Sequence, residues 1–299
     1  MRLFLVFEIK KTVLNKSKLR IGGVPEHFNL PWHLAMENHL FEKENIEIEW
    51  HTFKGGTGQM TRALRNDEID VCILLTEGIV ADIINGNPSK IISKYLTTPL
   101  IWGVYTGSQN AINHYGEIYD KKYAISRFGS GSHLMPIVDA NAKGHQIQKS
   151  QFEIVKNLDG ALESLTKNET YAFYWEKYTT KPYVDNGTLK HLGEYITPWP
   201  CFMIAASDKI IAKEQKALKK MLDVIHFTAK QFMHSTTAIS DVSERYNQKL
   251  EDVEQWFYST EWCTNDDISK KMLMNVVHTL NYANIIDKKV SVDELVVRV

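Results

Sequence analysis

This 299-residue sequence is short of the residues that hold metals, form disulfides or bind polyanions. Its three cysteines, Cys72, Cys201 and Cys263, are odd in number and scattered. Two of them lie inside the apolar runs VCILL and CFMIA, where a free thiol behaves as a small buried hydrophobe. There is no CxxC pair, no Cys/His spacing of the zinc type and no HExxH, and the eleven histidines show no ligand spacing. Neither a metal nor a cofactor is expected. Charge of one sign is missing too: 35 Lys and Arg against 36 Asp and Glu leave a net charge of −1. Nucleic-acid binding needs a basic face or stripe, and the short clusters Lys10-Lys11 and Lys219-Lys220 read as solvated surface. Nucleic acid is therefore not an expected partner.

Long apolar runs are also lacking. The stretch LFLVF near the N-terminus ends at Glu8, whereas an export signal needs an apolar core of roughly 7–15 residues and a spanning helix roughly 20. The sequence as it stands predicts a cytoplasmic protein with no membrane insertion; a misassigned start site would make it periplasmic instead. No repeat of the solenoid kind and no low-complexity linker is present. With 43% hydrophobic and 24% charged residues, the chain has the composition of a soluble globular protein long enough for two lobes.

Short apolar runs alternate with helical periodicity, as in βαβ architecture. Strands are expected at 19–24, 46–53, 71–75 and 90–95, with helices near 30–43, after Gly55-Gly56-Thr57-Gly58, and at 79–84. A second series follows, with strands at 122–126, 152–156 and 171–175, helices at 134–142 and 159–167, and an end near Tyr195. After Pro198-Trp199-Pro200 comes the apolar run CFMIAA, then a long helix over about 211–234. On that helix Leu218, Met221, Leu222, Ile225, Ala229 and Phe232 share a face. The reading is an α/β chain of two lobes, each a mixed sheet flanked by helices, joined by two hinge crossings near Val104–Gly107 and Pro198–Met203. The expected boundaries are 1–105 for the first part of lobe one, 106–198 for lobe two, and 199–299 for the return crossing and the C-terminal helices completing lobe one.

Three segments in order, LRIGGVPEHFNLPWHLAMENHLF, GGTGQMTRALRNDEIDVCILLTEGIVADI and YAISRFGSGS, resemble the type II periplasmic-binding-protein fold. Their nearest likeness is to the branch of nitrate-, sulfonate- and thiamine-pyrimidine-precursor-binding proteins, and within it to a signal-less bacterial and fungal subgroup. The resemblance spans roughly residues 18–235. Asp67 stands where the branch has a glycine before Glu-Ile-Asp, and its short side chain still tolerates a left-handed turn. His39 replaces a corner glycine. The pyrimidine-synthesising relatives carry a histidine where this sequence has Asn29, and their cysteine-rich motif is absent, which argues against thiamine-synthase activity.

In such a fold, ligands sit between lobes at loops leaving the carboxyl ends of strands. Four loops have suitable residues: Glu26 and His27; Gly56, Thr57 and Gln59; Thr76 and Glu77; and Arg127, Ser130, Gly131 and Ser132. The last combines a helix start, whose unpaired amides favour an anion, with a guanidinium fork suited to carboxylate, sulfonate or phosphate. The same glycines and serines would equally make a tight turn and an N-cap. GSGSHL and GGTGQM lack the lysine of a nucleotide loop, and GSGSH is not a nucleophile elbow. Trp175 and Trp199 are placed to stack on a planar ligand.

The expected function is binding of a small polar, anionic or heterocyclic metabolite in the cleft, as a carrier or sensor, with no catalytic residue assigned. The resemblance implies an ABC permease as partner if the chain is exported. The alternative is a cytoplasmic enzyme of the same fold, of the thiamine-pyrimidine or menaquinone pathway type.

Overall fold

The computed structural model describes residues 16–265, 267–288 and 290–299; the readings of LFLVF and of Lys10-Lys11 lie outside the described residues. The chain first lays down strands β1 (Ser17–Gly23), β2 (Ile46–Thr52), β3 (Val71–Leu75) and β4 (Ser89–Lys94). Between them run α1 (Leu30–Glu37), α2 (Leu40–Lys43), α3 (Thr57–Arg65) and α4 (Thr76–Ile84). It then builds β5 (Ile101–Gly107), β6 (Tyr123–Ile125), β7 (Phe152–Ile154), β8 (Ala172–Glu176) and β9 (Leu189–Ile196), with α5 (Gly131–Ala142), α6 (Leu158–Thr166) and α7 (Lys177–Asp185). It returns as β10 (Phe202–Ser207) and closes with α8 (Asp208–Met233), α9 (Ala238–Tyr246), α10 (Leu250–Tyr258) and α11 (Lys270–Tyr282).

Two mixed five-stranded sheets result, in the orders β2-β1-β3-β10-β4 and β7-β6-β8-β5-β9. In the first, β1 runs parallel to β2 and β3, while β10 is antiparallel to β3 and β4. In the second, β6 runs parallel to β7 and β8, while β5 is antiparallel to β8 and β9. The topology is the same twice over, and each antiparallel insert is the strand that follows a crossing. The first crossing lies earlier than expected. Ile101–Gly107 is β5 and pairs along its length with β9, so the chain changes lobes between β4 and β5. Apolar patterning marks this run as buried but cannot say in which sheet; pairing decides that.

Strand β3 is buried at every position, as its continuous apolar run demands of a central strand. The long helix α8 starts at a Ser207 cap that accepts from the Ile210 amide and buries the stripe from Leu218 to Phe232. The expected helix over 30–43 is instead two, α1 and α2, broken at His39 in the left-handed conformation (φ 55°). Asp67 is left-handed as well (φ 56°), so both residues that replace glycine keep glycine's backbone.

The Asp67–Asp70 turn is held to β1 by Arg20. Its guanidinium donates to both Asp70 oxygens at 2.7 and 3.1 Å and to Asp67 Oδ1 at 3.1 Å, while Asp70 Oδ2 also accepts the Arg20 amide. Asp70→Asn removes the charge from this largely buried fork and is expected to cost about 1–3 kcal/mol. A lower denaturant midpoint at unchanged slope is the expected readout; an unchanged midpoint would show that the fork contributes nothing.

Candidate functional site

The parallel strands of both sheets end at one gap. From the first lobe, β1 leads into Val24-Pro25-Glu26, β2 into Lys54, Gly56 and Thr57, and β3 ends at Leu75. From the second, β6 leads into Ser126 and Ser130-Gly131-Ser132, β7 into Asn157-Leu158-Asp159, and β8 into Trp175-Glu176 with Thr179. With Leu100, Trp102 and Phe202 from beside the crossings, these residues enclose about 240 Å³. That is room for a small molecule, just under the ~300–1,000 Å³ common for ligand pockets.

The SRFGSGS turn is held by its own hydroxyls. Ser130 Oγ donates to the Arg127 carbonyl at 2.7 Å, and Ser132 Oγ accepts the Ser126 amide at 2.9 Å and lies 3.0 Å from Ser130 Oγ. Gly129 takes φ 81°. Gly131 has no room for a side chain, since a Cβ there would lie 2.4 Å from both Leu75 of the other lobe and Trp102. Gly131 and Ser132 thereby present the first turn of α5 at the cavity wall.

Arg127 is not on that wall. It reaches across to the first lobe, where a Cβ at Gly55 would fall 1.9 Å from its Nη2 and one at Gly58 2.9 Å from its stem. Its Nη2 donates weakly to the Lys156 carbonyl at 3.4 Å. Gln59 is turned to the backbone and accepts the Gly55 amide at 3.0 Å, while Thr57, on the wall, accepts the Leu75 amide at 3.1 Å. The glycine-rich turn is therefore where the second lobe's arginine seats, and its glycines make that approach possible.

Three glutamates bear on the site, two on its wall and one behind it. Glu26 is half-buried, its side chain caps nothing, and burial together with the Glu176 carboxylate pushes its pKa up to about 8. Glu176 is buried and caps α7, accepting the Tyr178 amide at 3.1 Å and the Thr179 amide and hydroxyl at 2.7 and 2.8 Å; burial nonetheless raises its pKa. Glu77 is fully buried behind the wall, where its Oε2 accepts the Trp199 indole N–H at 2.9 Å and burial raises its pKa to about 7. Beside it Thr76 bonds the second crossing twice, its hydroxyl to the Pro200 carbonyl and its amide to the Cys201 carbonyl. Thr76, Glu77 and Trp199 thus clamp the crossing to the start of α4 and do not line the cavity.

His27 does not reach the cavity either. Its ring stacks on Phe28 at 4.8 Å and meets the edge of Trp256 at 4.1 Å, and burial lowers its pKa to about 3. The residues brought together on the wall are Glu26, Gly56, Thr57, Ser130, Gly131, Ser132 and Trp175; His27, Gln59, Thr76, Glu77, Arg127 and Trp199 are not among them. Sequence reasoning passed over Lys54, Trp102, Asn157, Asp159, Glu176 and Thr179 as ligand contacts. Two of these had a usable signal. Asn157 is an N-cap just after a strand, accepting the Gly160 amide at 3.0 Å, and Glu176 directly follows an aromatic strand end. Among the described residues no cluster of His, Cys, Asp and Glu could hold a metal ion.

Glu77 makes stability depend on pH. Its folded pKa lies above its ordinary 4.5, so the folded state keeps a proton that the unfolded chain has lost. Stability is expected to fall as pH rises from about 4.5 through about 7, and Glu26 extends the fall to about 8. Glu77→Gln keeps an acceptor for Trp199 and should flatten this decline in a series of melting temperatures; superimposable curves for the two proteins would refute the assignment.

Residues 102–195, nearly the whole second sheet, match the Ca3427-like PBP family. No curated protein matches the sequence. Among solved structures, the CA3427 gene product of Candida albicans, described as having the generic periplasmic binding protein fold, is similar at 25% identity and TM-score 0.87, over 94% of this chain and 96% of that one. The alkanesulfonate-binding protein SsuA of Xanthomonas axonopodis pv. citri, bound to MOPS, is similar at 14% identity and TM-score 0.79, over 95% and 99%. PhnD1 of Prochlorococcus marinus, in complex with methylphosphonate, is similar at 12% identity and TM-score 0.59, over 90% and 99%. No helix among the described residues is long and apolar enough to cross a membrane. With its two matching sheets facing one cleft, this chain is a protein of the periplasmic-binding-protein fold whose second lobe matches the Ca3427-like PBPs.

Proposed function

We propose that this protein binds a small, polar, partly flat metabolite between its lobes and closes on it by motion about the two crossings, as a carrier or sensor. One observation carries the reading: a single cavity is walled by loops from the carboxyl ends of strands in both sheets. Trp102, Trp175, Leu75 and Phe202 supply apolar wall for a ring or short chain. The starts of α3 and α5 supply unpaired amides that favour an acidic group, and exposed Lys54 adds positive charge at the rim. The acidic ligands named with SsuA and PhnD1 support that feature. The carrier version requires export and an ABC permease partner; the sensor version requires neither.

A second reading, an enzyme of the same fold, is favoured by one observation, the Glu26 carboxyl with its pKa near 8 at the cavity wall. Such a group is poised for proton transfer near neutral pH.

Mass spectrometry of ligand released from the purified protein, followed by scattering with and without it, tests the binding reading. A smaller radius of gyration and a higher melting temperature with ligand are expected. Trp175→Ala should weaken binding by roughly 5- to 50-fold through lost ring contact. Turnover of the identified ligand that disappears in Glu26→Gln would favour the enzyme, and a protein that neither closes nor stabilises with any small molecule would sink both readings.

A further inference from the structure

Glu26 and Glu176 line the same cavity from opposite lobes. Neither pairs with a Lys, Arg or His among the described residues. Lys177, whose charge reaches Glu176, is itself paired with Glu194 at 2.8 Å, and Arg127 lies over Gly55. Lys54 and Asp159, the other charged residues of the wall, are both exposed. Tyr246 is the other titratable group close to Glu26, and His27 beside it is neutral. Glu176 spends its bonds on the start of α7, with Oε2 accepting twice and Oε1 once, so a free lone pair remains on Oε1. Glu26, with no cap to serve, has its full acceptor capacity available.

We infer that the cleft recognises its ligand through a protonated, N–H-rich nitrogen group held between Glu26 of the first lobe and Glu176 of the second. This rests on the binding-protein reading above and names the ligand's chemistry. In the empty cleft, burial and the facing Glu176 hold a proton on Glu26 near neutral pH, and a cation seated between the two carboxyls lets both ionise and draws the lobes together. Closure is thereby tied to the charge of the cargo. The group is organic. No metal-holding cluster exists among the described residues, the cavity of about 240 Å³ exceeds a bare ion many times over, and Trp102 and Trp175 offer faces on which an ammonium or amidinium is favoured. With the starts of α3 and α5 on the same wall, the ligand class is a small amphoteric molecule, carrying an amino or amidine group and an acidic or acceptor-bearing one.

Calorimetry and thermal shift with two matched pairs, benzamidine against benzamide and taurine against ethanesulfonate, isolate the nitrogen. The charged-nitrogen member of at least one pair is expected to bind at least tenfold tighter than its partner. Glu26→Gln, which breaks no hydrogen bond in the protein, should abolish that preference without lowering the melting temperature; Glu176→Gln is the corresponding variant on the second lobe. Equal or undetectable binding within both pairs overturns the inference. So does tighter binding of ethanesulfonate that Glu26→Gln strengthens, although that result leaves the binding-protein reading intact. Failure of the binding-protein reading looks different, since the ligand released from the purified protein would then leave the radius of gyration unchanged.

Discussion

Everything at the cleft depends on where the two antiparallel strands enter their sheets. Each sheet receives the strand that follows a crossing between its third and last strands, β10 in one lobe and β5 in the other. An inserted strand must run against its neighbours because it arrives from the opposite lobe. The parallel strands then all finish at the gap the crossings span, and their loops and helix starts have nowhere else to point. The second crossing is pinned by Thr76 and Glu77 to Pro200, Cys201 and Trp199. A buried carboxylate at a crossing is costly in isolation, and here the indole N–H answers one of its oxygens.

The two lobes meet through small residues. Arg127 lies over Gly55 and Gly58, and Gly131 backs onto Leu75 and Trp102. The glycines around the cleft are therefore less a phosphate cradle than a set of close approaches. What remains open between the lobes is apolar on its tryptophan side, acidic at Glu26 and Glu176, and rich in helix-start amides at α3 and α5. A cavity with both kinds of polar wall discriminates by charge distribution, not by net charge. Its carboxylates set it apart in chemistry from a site built for a simple anion.

Much of this was legible in the sequence. Strand β3, the face of α8 and the two-lobed α/β plan follow from local periodicity, and the left-handed Asp67 from the family resemblance, which implies a glycine there. The site was legible as loops rather than as side chains. Glu26 and His27 are neighbours in one turn, yet one meets the cavity and the other the aromatic cluster of Phe28 and Trp256. Arg127 and Ser130 share a loop, yet one crosses to the other lobe and the other lines the wall.

The sequence by itself determined which segments become strands and helices, and which loops follow strands, because those depend on contacts a few residues apart. Tertiary structure alone decided that Ile101–Gly107 belongs to the second sheet, that Arg127 seats on Gly55, and that Glu26 faces Glu176. Each of those is a pairing between groups at least 68 residues apart in the chain. Such pairings are set by which surfaces can be buried together, and no local pattern encodes them.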